Sequence, residues 1–316
     1  MAIKRYISNS DNTITNAYQQ DLKNRGTGSN MGASDVAEVF SLYAQRDSGS
    51  AELSRALFKF PTDTINSDRT AGNIPASGSV KFYLRLYNAK HAFTLPRSFT
   101  LTVQAVSSSW EEGIGLDMEE YTDLTYDGSG SNWLRTGKGS SWTTIGGDYH
   151  TNTYSKGTVN GPFPKHDVSF DSGVEDIELN ITAMVEEWLA STQPNYGLCV
   201  KLTSSQEAYV DNYSNKTTPS STTIANVLNL TGATRSYFTK KFFSRSTEYF
   251  FKRPCVEARW DSSTKDDRGN FYYSSSLAPA EDNLNTLYLY NYVRGRLRNI
   301  PDIGTGDIYV SIFSGS

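Results

Sequence analysis

The feature that most constrains the fold is a two-residue period in hydrophobicity. In the segment 80–86, Val80, Phe82 and Leu84 fall on one face and charged or tyrosine side chains on the other. Successive side chains of a β-strand point to opposite faces, so this alternation predicts half-buried strands. Half-buried strands are typical of antiparallel sheets, and we therefore predict a mostly β chain. The alternation recurs in 57–60, 99–105 and 198–202.

One segment has the period of an α-helix instead. Its apolar residues recur at spacings of three and four, which places them in a single stripe along the helix. Pro194 and Gly197 follow and predict its end. We interpret the stripe as part of the core, and we predict a second, weaker helix in 13–24. The stripe consists of Ile181, Met184, Val185, Trp188 and Leu189.

Charge and hydropathy narrow the set of partners. The net charge is −4 and no basic tract stands out, so we do not expect nucleic acid to bind. No run reaches the about 18 apolar residues that a membrane helix needs, and the N-terminus lacks the apolar region of a secretory signal. We therefore predict no membrane insertion and no classical export, which still leaves release in a particle open.

The two cysteines, Cys199 and Cys255, are too few for a disulfide framework or a cysteine zinc site. Two free thiols are the first interpretation. Both cysteines alternate away from the predicted core. A disulfide is the alternative if their two strands are neighbours.

No enzyme motif emerges from the sequence. His91, His150 and His166 have no metal-like partner at helical spacing, and the chain contains neither a nucleophile elbow nor a Walker loop. The segment 110–130 is strongly acidic, and three interpretations of it stay open. It could be a solvated loop beside a buried Trp110, a calcium site of hard oxygen ligands, or the carboxylate pair of a glycosidase. The candidate calcium ligands are Glu111, Glu112, Asp117, Asp123 and Asp127.

Four aromatic residues lie in the long polar stretch that follows. Trp133, Trp142, Tyr149 and Tyr154 could stack on the sugar rings of a glycan. They could instead pin the loop onto the body of the protein, because an ordered loop of this length needs a small core of its own.

The segment 242–261 resembles the closing edge of a β-sandwich. Val256, Ala258 and Trp260 alternate toward the core, whereas Cys255, Glu257 and Arg259 point outward. Pro254 suits the first position of a strand, where its missing N–H removes no ladder hydrogen bond. Arg245 is predicted to bond buried carbonyls or a carboxylate at the edge of the sandwich.

Six segments, in chain order, resemble a known family. They are "SNMGASD", "SRALFKFP", "SGSVKFYLRLYN", "TVQAVSSSWEEG", "DIELNITAMVEEWLASTQPNYGLCVKL" and "FFSRSTEYFFKRPCVEARWD". Together they are similar to the DNRLRE-type domain over about residues 3–261. The stretch "WEEGIGLDMEEYTDL", followed by "NWL", "SSW" and "GG", resembles the variant found in virion proteins of tailed bacteriophages, including marine contractile-tailed phages.

The resemblance implies an antiparallel β-sandwich of jelly-roll type and a non-enzymatic role. It predicts a DNRLRE-like domain over 1–261 with structural residues Trp110, Trp188, Trp260 and Arg245, and a β-rich C-terminal extension over 262–316 that packs on a neighbouring subunit. It further implies localisation in the virion, where the partners are other virion proteins and copies of itself.

Two further expectations depend on the same resemblance. Related modules bind polysaccharide, so recognition of a host surface glycan is the alternative function. The usual S-R-E motif is "SRSTE" here, which moves the carboxylate to Glu248. No cofactor is predicted apart from the calcium considered above.

Overall fold

The computed structural model describes residues 1–47, 50–92, 96–116, 129–150, 165–211, 226–262, 276–283, 288–298, 309 and 311. The chain divides into two compact units. The larger unit spans Ala2–Asp261, and the smaller one consists of Met1 and Ser262–Ser316.

Strands dominate the larger unit, and two short helices accompany them. The strands are β1 (Ala2–Ile7), β2 (Ser10–Thr15), β3 (Val36–Tyr43), β4 (Ala51–Lys59), β5 (Val80–Leu86), β6 (Phe99–Ala105), β7 (Arg135–Gly137), β8 (Ser140–Ser141), β9 (His166–Phe170), β10 (Ile177–Asn180), β11 (Leu198–Leu202), β12 (Tyr237–Phe243) and β13 (Cys255–Trp260). The helices are α1 (Thr62–Thr70) and α2 (Thr182–Leu189).

Eleven of these strands form two antiparallel sheets, and β7 and β8 pair with each other as a separate ribbon. The smaller sheet has the order β1-β13-β5-β10, and the larger one runs β12-β3-β4-β11-β6-β9 with β2 paired to β4. Inward-facing residues of both sheets form one apolar core with Met184, Val185 and Trp188 of α2. The predicted antiparallel β-sandwich is confirmed, because alternation gives each sheet one apolar face to bury against the other.

A second apolar cluster covers the opposite, outer face of the seven-stranded sheet. It joins outward side chains of that sheet, such as Leu57 and Cys199, to Trp110, Trp133 and Trp142 of the following loops. The sheet is therefore buried on both sides over part of its area. This explains why β4 is buried at nearly every position instead of at every second one.

The prediction of a helix over 13–24 is wrong. Thr13, Ile14 and Thr15 belong to β2 and pair with Ala56, Arg55 and Ser54 of β4. β-Branched residues fit the pleated surface of a strand better than a helix. The helix α1 had no clear signal in the sequence, since Ile65 is its single buried residue.

The strand β13 lies inside its sheet and not at the edge. It pairs with β1 on one side and β5 on the other. Val256 and Ala258 lie in the core and Cys255 and Glu257 point away from it, as predicted, yet the latter two are also buried. The Glu257 carboxylate accepts hydrogen bonds from Arg5 and Arg259, so the buried charge is compensated.

Both cysteines are free and buried. Cys199 lies on β11 of the larger sheet and Cys255 on β13 of the smaller one. Their strands are not neighbours, so the condition for the alternative disulfide is not met.

The smaller unit contains a β-hairpin of β14 (Tyr292–Val293) and β15 (Arg296–Leu297). Its two-residue turn places Arg294 and Gly295 at positive φ. Two-residue hairpin turns of type I′ have positive φ at both central residues, because this backbone conformation matches the right-handed twist of the two strands. Across both units, none of the helices in the described segments is long and apolar enough to cross a membrane.

Candidate functional site

A polar cleft opens on the outer face of the seven-stranded sheet. We call it the outer cleft; its volume is about 360 Å³, and it lies between the outward side chains of β6 and β11 and the loop 143–149. Lys201 reaches it because it is the outward residue between the inward-facing Val200 and Leu202. The lining residues on which the chemistry depends are Gln104, Ser107, Thr144, Asp148, Tyr149 and Lys201.

Several polar atoms line the outer cleft without a hydrogen-bond partner among the described residues. Within the described ranges, no hydrogen bond engages Lys201 Nζ, Ser107 Oγ, Thr144 Oγ1 or Gln104 Oε1. The Nε2 atom of the same glutamine is anchored, since it donates to the carbonyl of His150. An ammonium, two hydroxyls and an amide oxygen are thus available in one depression, which is the pattern of a site for a polar ligand.

The Lys201 ammonium lies 4.9 Å from the centroid of the Tyr149 ring. Burial lowers the pKa of Lys201, and the neighbouring Arg55 guanidinium lowers it further. Burial also raises the pKa of the Tyr149 phenol. The ring therefore acts as an uncharged, fixed wall, against which a cation or an apolar face can pack.

Asp148 forms a rigid side of the outer cleft. Its carboxylate accepts hydrogen bonds from the backbone of Thr143 (2.9 Å) and Thr144 (2.7 Å) and from the Ser108 hydroxyl (2.8 Å). Burial alone would raise the pKa of Asp148, but these donors together lower it. Asp148 stays ionised and holds the loop, so it is unsuited to carry a proton.

A buried ion pair supports the outer cleft from below. The Arg55 guanidinium makes two parallel hydrogen bonds of 2.9 Å to Glu207 and one of 2.7 Å to the carbonyl of Gly146. It also lies 5.1 Å from the centroid of the Trp133 ring. The pair joins β4 to the loop 143–149 and to the turn after β11, and so fixes the two walls relative to each other.

Two of the four predicted glycan-stacking residues are buried. Trp133 is fully buried and the exposed fraction of Trp142 is 5%. The Trp142 Nε1–H donates to the carbonyl of Asn132 at 2.8 Å. Their faces are covered by the second apolar cluster, so the prediction that they stack on a sugar is wrong. Both side chains instead fix their loop onto the outer face of the sheet, which is the alternative interpretation of the sequence.

The other two aromatic candidates have different positions. Tyr149 lines the outer cleft and donates its hydroxyl to the carbonyl of Gly146. Tyr154 lies outside the described residues. Of the three described candidates, only Tyr149 is therefore placed beside a surface that a ligand could reach.

The predicted calcium ligands are not assembled into a site by the described residues. Glu111 accepts hydrogen bonds from the backbone of Gly130 and Lys138, both at 3.2 Å. Glu112 is paired with Arg245, which corrects its assignment as a metal ligand because a bound guanidinium occupies both oxygens. The remaining candidates, Asp117, Asp123 and Asp127, lie outside the described ranges, and the described histidines, cysteines and carboxylates form no metal-binding group.

Arg245 bonds a carboxylate, as the sequence predicted, and that carboxylate comes from a distant segment. Both guanidinium hydrogen bonds to Glu112 are 2.5 Å long. The Arg245 backbone N–H donates to Asp11, and the Asp11 N–H donates to Glu112, which closes a ring of three residues. Glu248 is exposed and takes no part in this ring.

The remaining tryptophans have structural positions. Trp110 is buried and its Nε1–H donates to the carbonyl of Tyr196 at 2.7 Å. Trp188 of α2 lies in the core between the sheets, and Trp260 packs against that core while half-buried.

An exposed aromatic turn precedes β13. We call Tyr249, Phe250 and Phe251, with Lys252 and Arg253, the aromatic knob. The exposed fractions of the three rings are 54%, 55% and 78%. Sequence reasoning missed this surface, although three consecutive aromatic residues before Lys-Arg-Pro were a visible signal for it.

Contacts with the body of the larger unit hold both ends of the aromatic knob despite its exposure. Arg253 donates two hydrogen bonds, of 3.1 and 3.0 Å, to the carbonyl of Thr247, whose side chain is buried. The Tyr249 ring packs edge-on against Phe243 with 5.5 Å between centroids. An exposed aromatic group that is anchored at both ends is typical of a protein contact surface, because less conformational entropy is lost when a partner covers it.

Comparison with known proteins adds no assignment for this chain. No protein-family model matches the sequence, and no curated protein matches it significantly. The resemblance to DNRLRE-type domains therefore stays a prediction from the sequence.

Proposed function

We propose that this protein is a non-enzymatic structural component of a phage virion, exposed on a head, neck, tail or fibre, where it mediates assembly or attachment. Its partners are copies of itself and other virion proteins. The confirmed β-sandwich is compatible with this role, and so is the pairing of its buried and partly buried arginines. Arg55, Arg245 and Arg259 are each engaged by a carboxylate, as expected of groups that stabilise a scaffold.

The observation that carries the proposal is the aromatic knob. Large apolar side chains exposed together mark interaction surfaces, and Phe251 is 78% exposed beside two further aromatic rings. Lys252 lies 5.0 Å from the Phe243 centroid and Arg253 lies 5.5 Å from that of Phe250, so cations border the aromatic surface. Aromatic and arginine side chains are the residues most enriched at the energetic centres of interfaces.

Locating the protein on purified particles tests this function. Heads and tails are separated and analysed by mass spectrometry, and intact particles are labelled with antibody for microscopy. Many copies on heads would indicate decoration, whereas few copies at the neck, baseplate or fibres would indicate adsorption. Absence from both fractions would overturn the proposal.

A variant of the aromatic knob tests whether this surface is needed for incorporation into particles. Phe250→Ala combined with Phe251→Ala is expected to lower incorporation into particles, while Leu230→Ala, an exposed apolar residue elsewhere, leaves it unchanged. Equal unfolding temperatures of the two variants exclude a folding defect. Normal incorporation of the double variant would remove the knob from the mechanism.

A second candidate function is recognition of host surface glycan. The outer cleft favours it, since two hydroxyls, an amide oxygen and an ammonium there have no hydrogen-bond partner in the described part of the chain and can bond sugar hydroxyls, and Tyr149 provides a flat wall. A glycan array probed with and without calcium tests binding. Lys201→Met is expected to abolish the signal and Lys81→Met, at an exposed lysine of the other sheet, to preserve it, and a blank array would argue against the candidate.

A further inference from the structure

One lysine in the outer cleft lacks a counter-ion in the described part of the chain. Lys201 is the outward residue of β11, and its partly buried side chain lines the cleft. Among the described residues, no carboxylate forms an ion pair with Lys201 Nζ and no oxygen accepts a hydrogen bond from it. The Tyr149 ring lies beside it, with the centroid 4.9 Å from the nitrogen. A molecule that enters the cleft therefore meets this nitrogen.

A second cation lies next to this lysine on the outer face of the sheet. Val200 of β11 is opposite Ala56 of β4. The next residues along these antiparallel strands are Lys201 and Arg55, which are therefore neighbours. A lysine that is removed from water and lies beside another positive charge gives up its proton more readily, and the resulting amine is a nucleophile at neutral pH.

The other ionisable groups around Lys201 do not cancel this effect. Burial lowers the pKa of Lys201 most, and the charges of Arg55 and Lys165 lower it further. Glu207 and Cys199 act in the opposite direction, and the pKa of Lys201 stays below its ordinary value. At neutral pH, a larger fraction of Lys201 is therefore an uncharged amine than of a lysine in water.

Lys240 shows that a lowered pKa is not sufficient for reactivity. Burial lowers the pKa of Lys240 to about 8, but the exposed fraction of this residue is 1%. Its ammonium donates hydrogen bonds to Asn88, Gly173 and Glu175. Loss of a proton would break one of these bonds, and burial keeps a reagent away from the nitrogen. Access from an open cleft is therefore what distinguishes Lys201 from Lys240.

We propose that Lys201 is a nucleophilic amine that forms an imine with a small aldehyde in the outer cleft. The uncharged nitrogen attacks the carbonyl carbon and a C–N bond forms. The carbonyl oxygen then leaves as water with the two protons of the amine, so the step consumes no oxidant or reductant. The inference goes beyond both functions proposed above. It uses the cleft of the second candidate function without depending on glycan recognition.

The lining of the outer cleft indicates which aldehyde it takes. The volume of about 360 Å³ admits a molecule of a few carbon atoms. The hydroxyls of Ser107 and Thr144 and the Oε1 atom of Gln104 line the cleft with no hydrogen-bond partner in the described ranges. These groups can bond hydroxyls on the carbons next to the carbonyl. The chemistry of the cleft therefore favours a small hydroxyaldehyde over an aldehyde that carries an alkyl chain.

Reductive labelling of the full chain tests the inference. The protein is incubated at pH 7 with glyceraldehyde and cyanoborohydride, which reduces an imine to a stable secondary amine, and each labelled lysine is quantified by peptide mass spectrometry. Lys201 should react about tenfold faster than the exposed Lys81, because a lysine in water, with a pKa of about 10.4, is almost entirely protonated at this pH. Lys240 should stay unlabelled. Labelling of Lys201 no faster than that of Lys81 would overturn the inference.

A second aldehyde tests the selection of hydroxyls. Propanal has the same three carbon atoms as glyceraldehyde and lacks its two hydroxyls. Ser107→Ala combined with Thr144→Val should slow the labelling of Lys201 by glyceraldehyde several-fold and leave its labelling by propanal unchanged. Equal rates for both aldehydes in the wild type and in this variant would overturn the preference for a hydroxyaldehyde. The unfolding temperature of the variant shows whether the fold is retained.

Lys201→Arg separates this inference from glycan recognition. Arginine keeps the positive charge and the hydrogen-bond donors but stays protonated, so it forms no imine. A wild type that binds glycan but labels slowly at Lys201 would end the imine and keep the glycan candidate. A wild type that labels fast on a blank glycan array would keep the imine and end the glycan candidate. If both activities are present, Lys201→Arg should lose the labelling at this position and retain glycan binding.

Discussion

At the residue scale, the most informative side chain is the buried carboxyl of Asp11. Its Oδ2 accepts the Arg245 N–H, whereas its Oδ1 is buried without a hydrogen-bond partner in the described chain. Burial, opposed by this hydrogen bond and reinforced by the nearby Glu112, raises the pKa of Asp11 to about 7. Burial without full hydrogen bonding destabilises the ionised form of Asp11. The stability of the fold therefore depends on the pH at which this carboxyl ionises.

This predicts a pH-dependent gain for Asp11→Asn. Because the folded pKa exceeds the unfolded value of 3.8, the favourable contribution of the protonated carboxyl is full below about pH 4 and is lost as the pH rises to about 7. Between pH 5 and 8 the wild type should lose on the order of 2 kcal/mol relative to the variant. Urea unfolding of both proteins at the two pH values measures the difference, and parallel behaviour would show that Asp11 is already ionised at pH 5.

Lys240 is the opposite case, a buried charge whose donors are all used. Its ammonium donates to Asn88 Oδ1 at 2.6 Å and to the carbonyls of Gly173 at 3.0 Å and Glu175 at 2.8 Å. Burial lowers the pKa of Lys240 to about 8, so it remains mostly protonated at neutral pH. Three acceptors and three ammonium protons match one to one, which is how a charge is tolerated beside Phe170 and Phe242.

Lys240→Met should therefore destabilise the fold by about 2 kcal/mol or more, because it leaves three oxygens without their donor. Lys81→Met, at an exposed lysine of β5, is the matched control and should stay within about 0.5 kcal/mol of the wild type. Chemical unfolding at pH 7 provides both values. If the two variants lose the same free energy, the hydrogen bonds of Lys240 contribute little.

At the element scale, the sequence predicts regular elements well and their partners poorly. The alternation of Val80 to Leu86 locates β5, and the helical stripe around Trp188 locates α2, because both patterns are local. The burial of Trp133 depends on which sheet face its loop covers, and no local pattern specifies that. The same holds for Arg245, whose partner Glu112 is 133 residues away in the chain.

The outer cleft shows the same limit. Alternation already places Lys201 outward on β11, but the loop residues Thr144 and Asp148 that complete the cleft have no periodicity. Aromatic residues in a long polar loop predicted tryptophans as sugar-stacking residues, but the second apolar cluster covers them instead. The sequence shows which loops contain aromatic residues. Only the packing of the folded chain shows whether those residues bind a ligand or fix the loop onto the sheet.

The ion pair beneath the cleft gives the prediction at this scale. Arg55→Met leaves the buried Glu207 charge unpaired and should cost about 3–5 kcal/mol. Adding Glu207→Gln removes that charge, so the double variant should recover part of the loss. Unfolding free energies of both single variants and the double variant complete the cycle. Strict additivity would mean that the two side chains do not interact, against the bidentate geometry.

At the scale of the whole molecule, the two sheets of the larger unit share one core, and each sheet contains one buried cysteine whose reactivity reports on local opening. Cys199 is buried in the apolar cluster outside the seven-stranded sheet, whereas Cys255 lies in the four-stranded sheet. Burial, with a smaller contribution from Glu257, raises the pKa of Cys255 to about 11, and burial raises that of Cys199. Neither thiol is reactive in the folded state, since reaction needs an accessible thiolate.

Thiol labelling then measures whether the sandwich opens as one unit. In the native protein we expect almost no reaction with a thiol reagent, and two reactive thiols after unfolding. With single-cysteine variants, Cys199→Ala and Cys255→Ala, the slow native-state rates should be equal if opening is global, because each thiol then waits for the same event. Faster labelling of Cys199 would show that the loops over the outer cleft detach while the two sheets stay packed. The ratio of the two rates therefore separates the stability of the scaffold from that of the surface it supports.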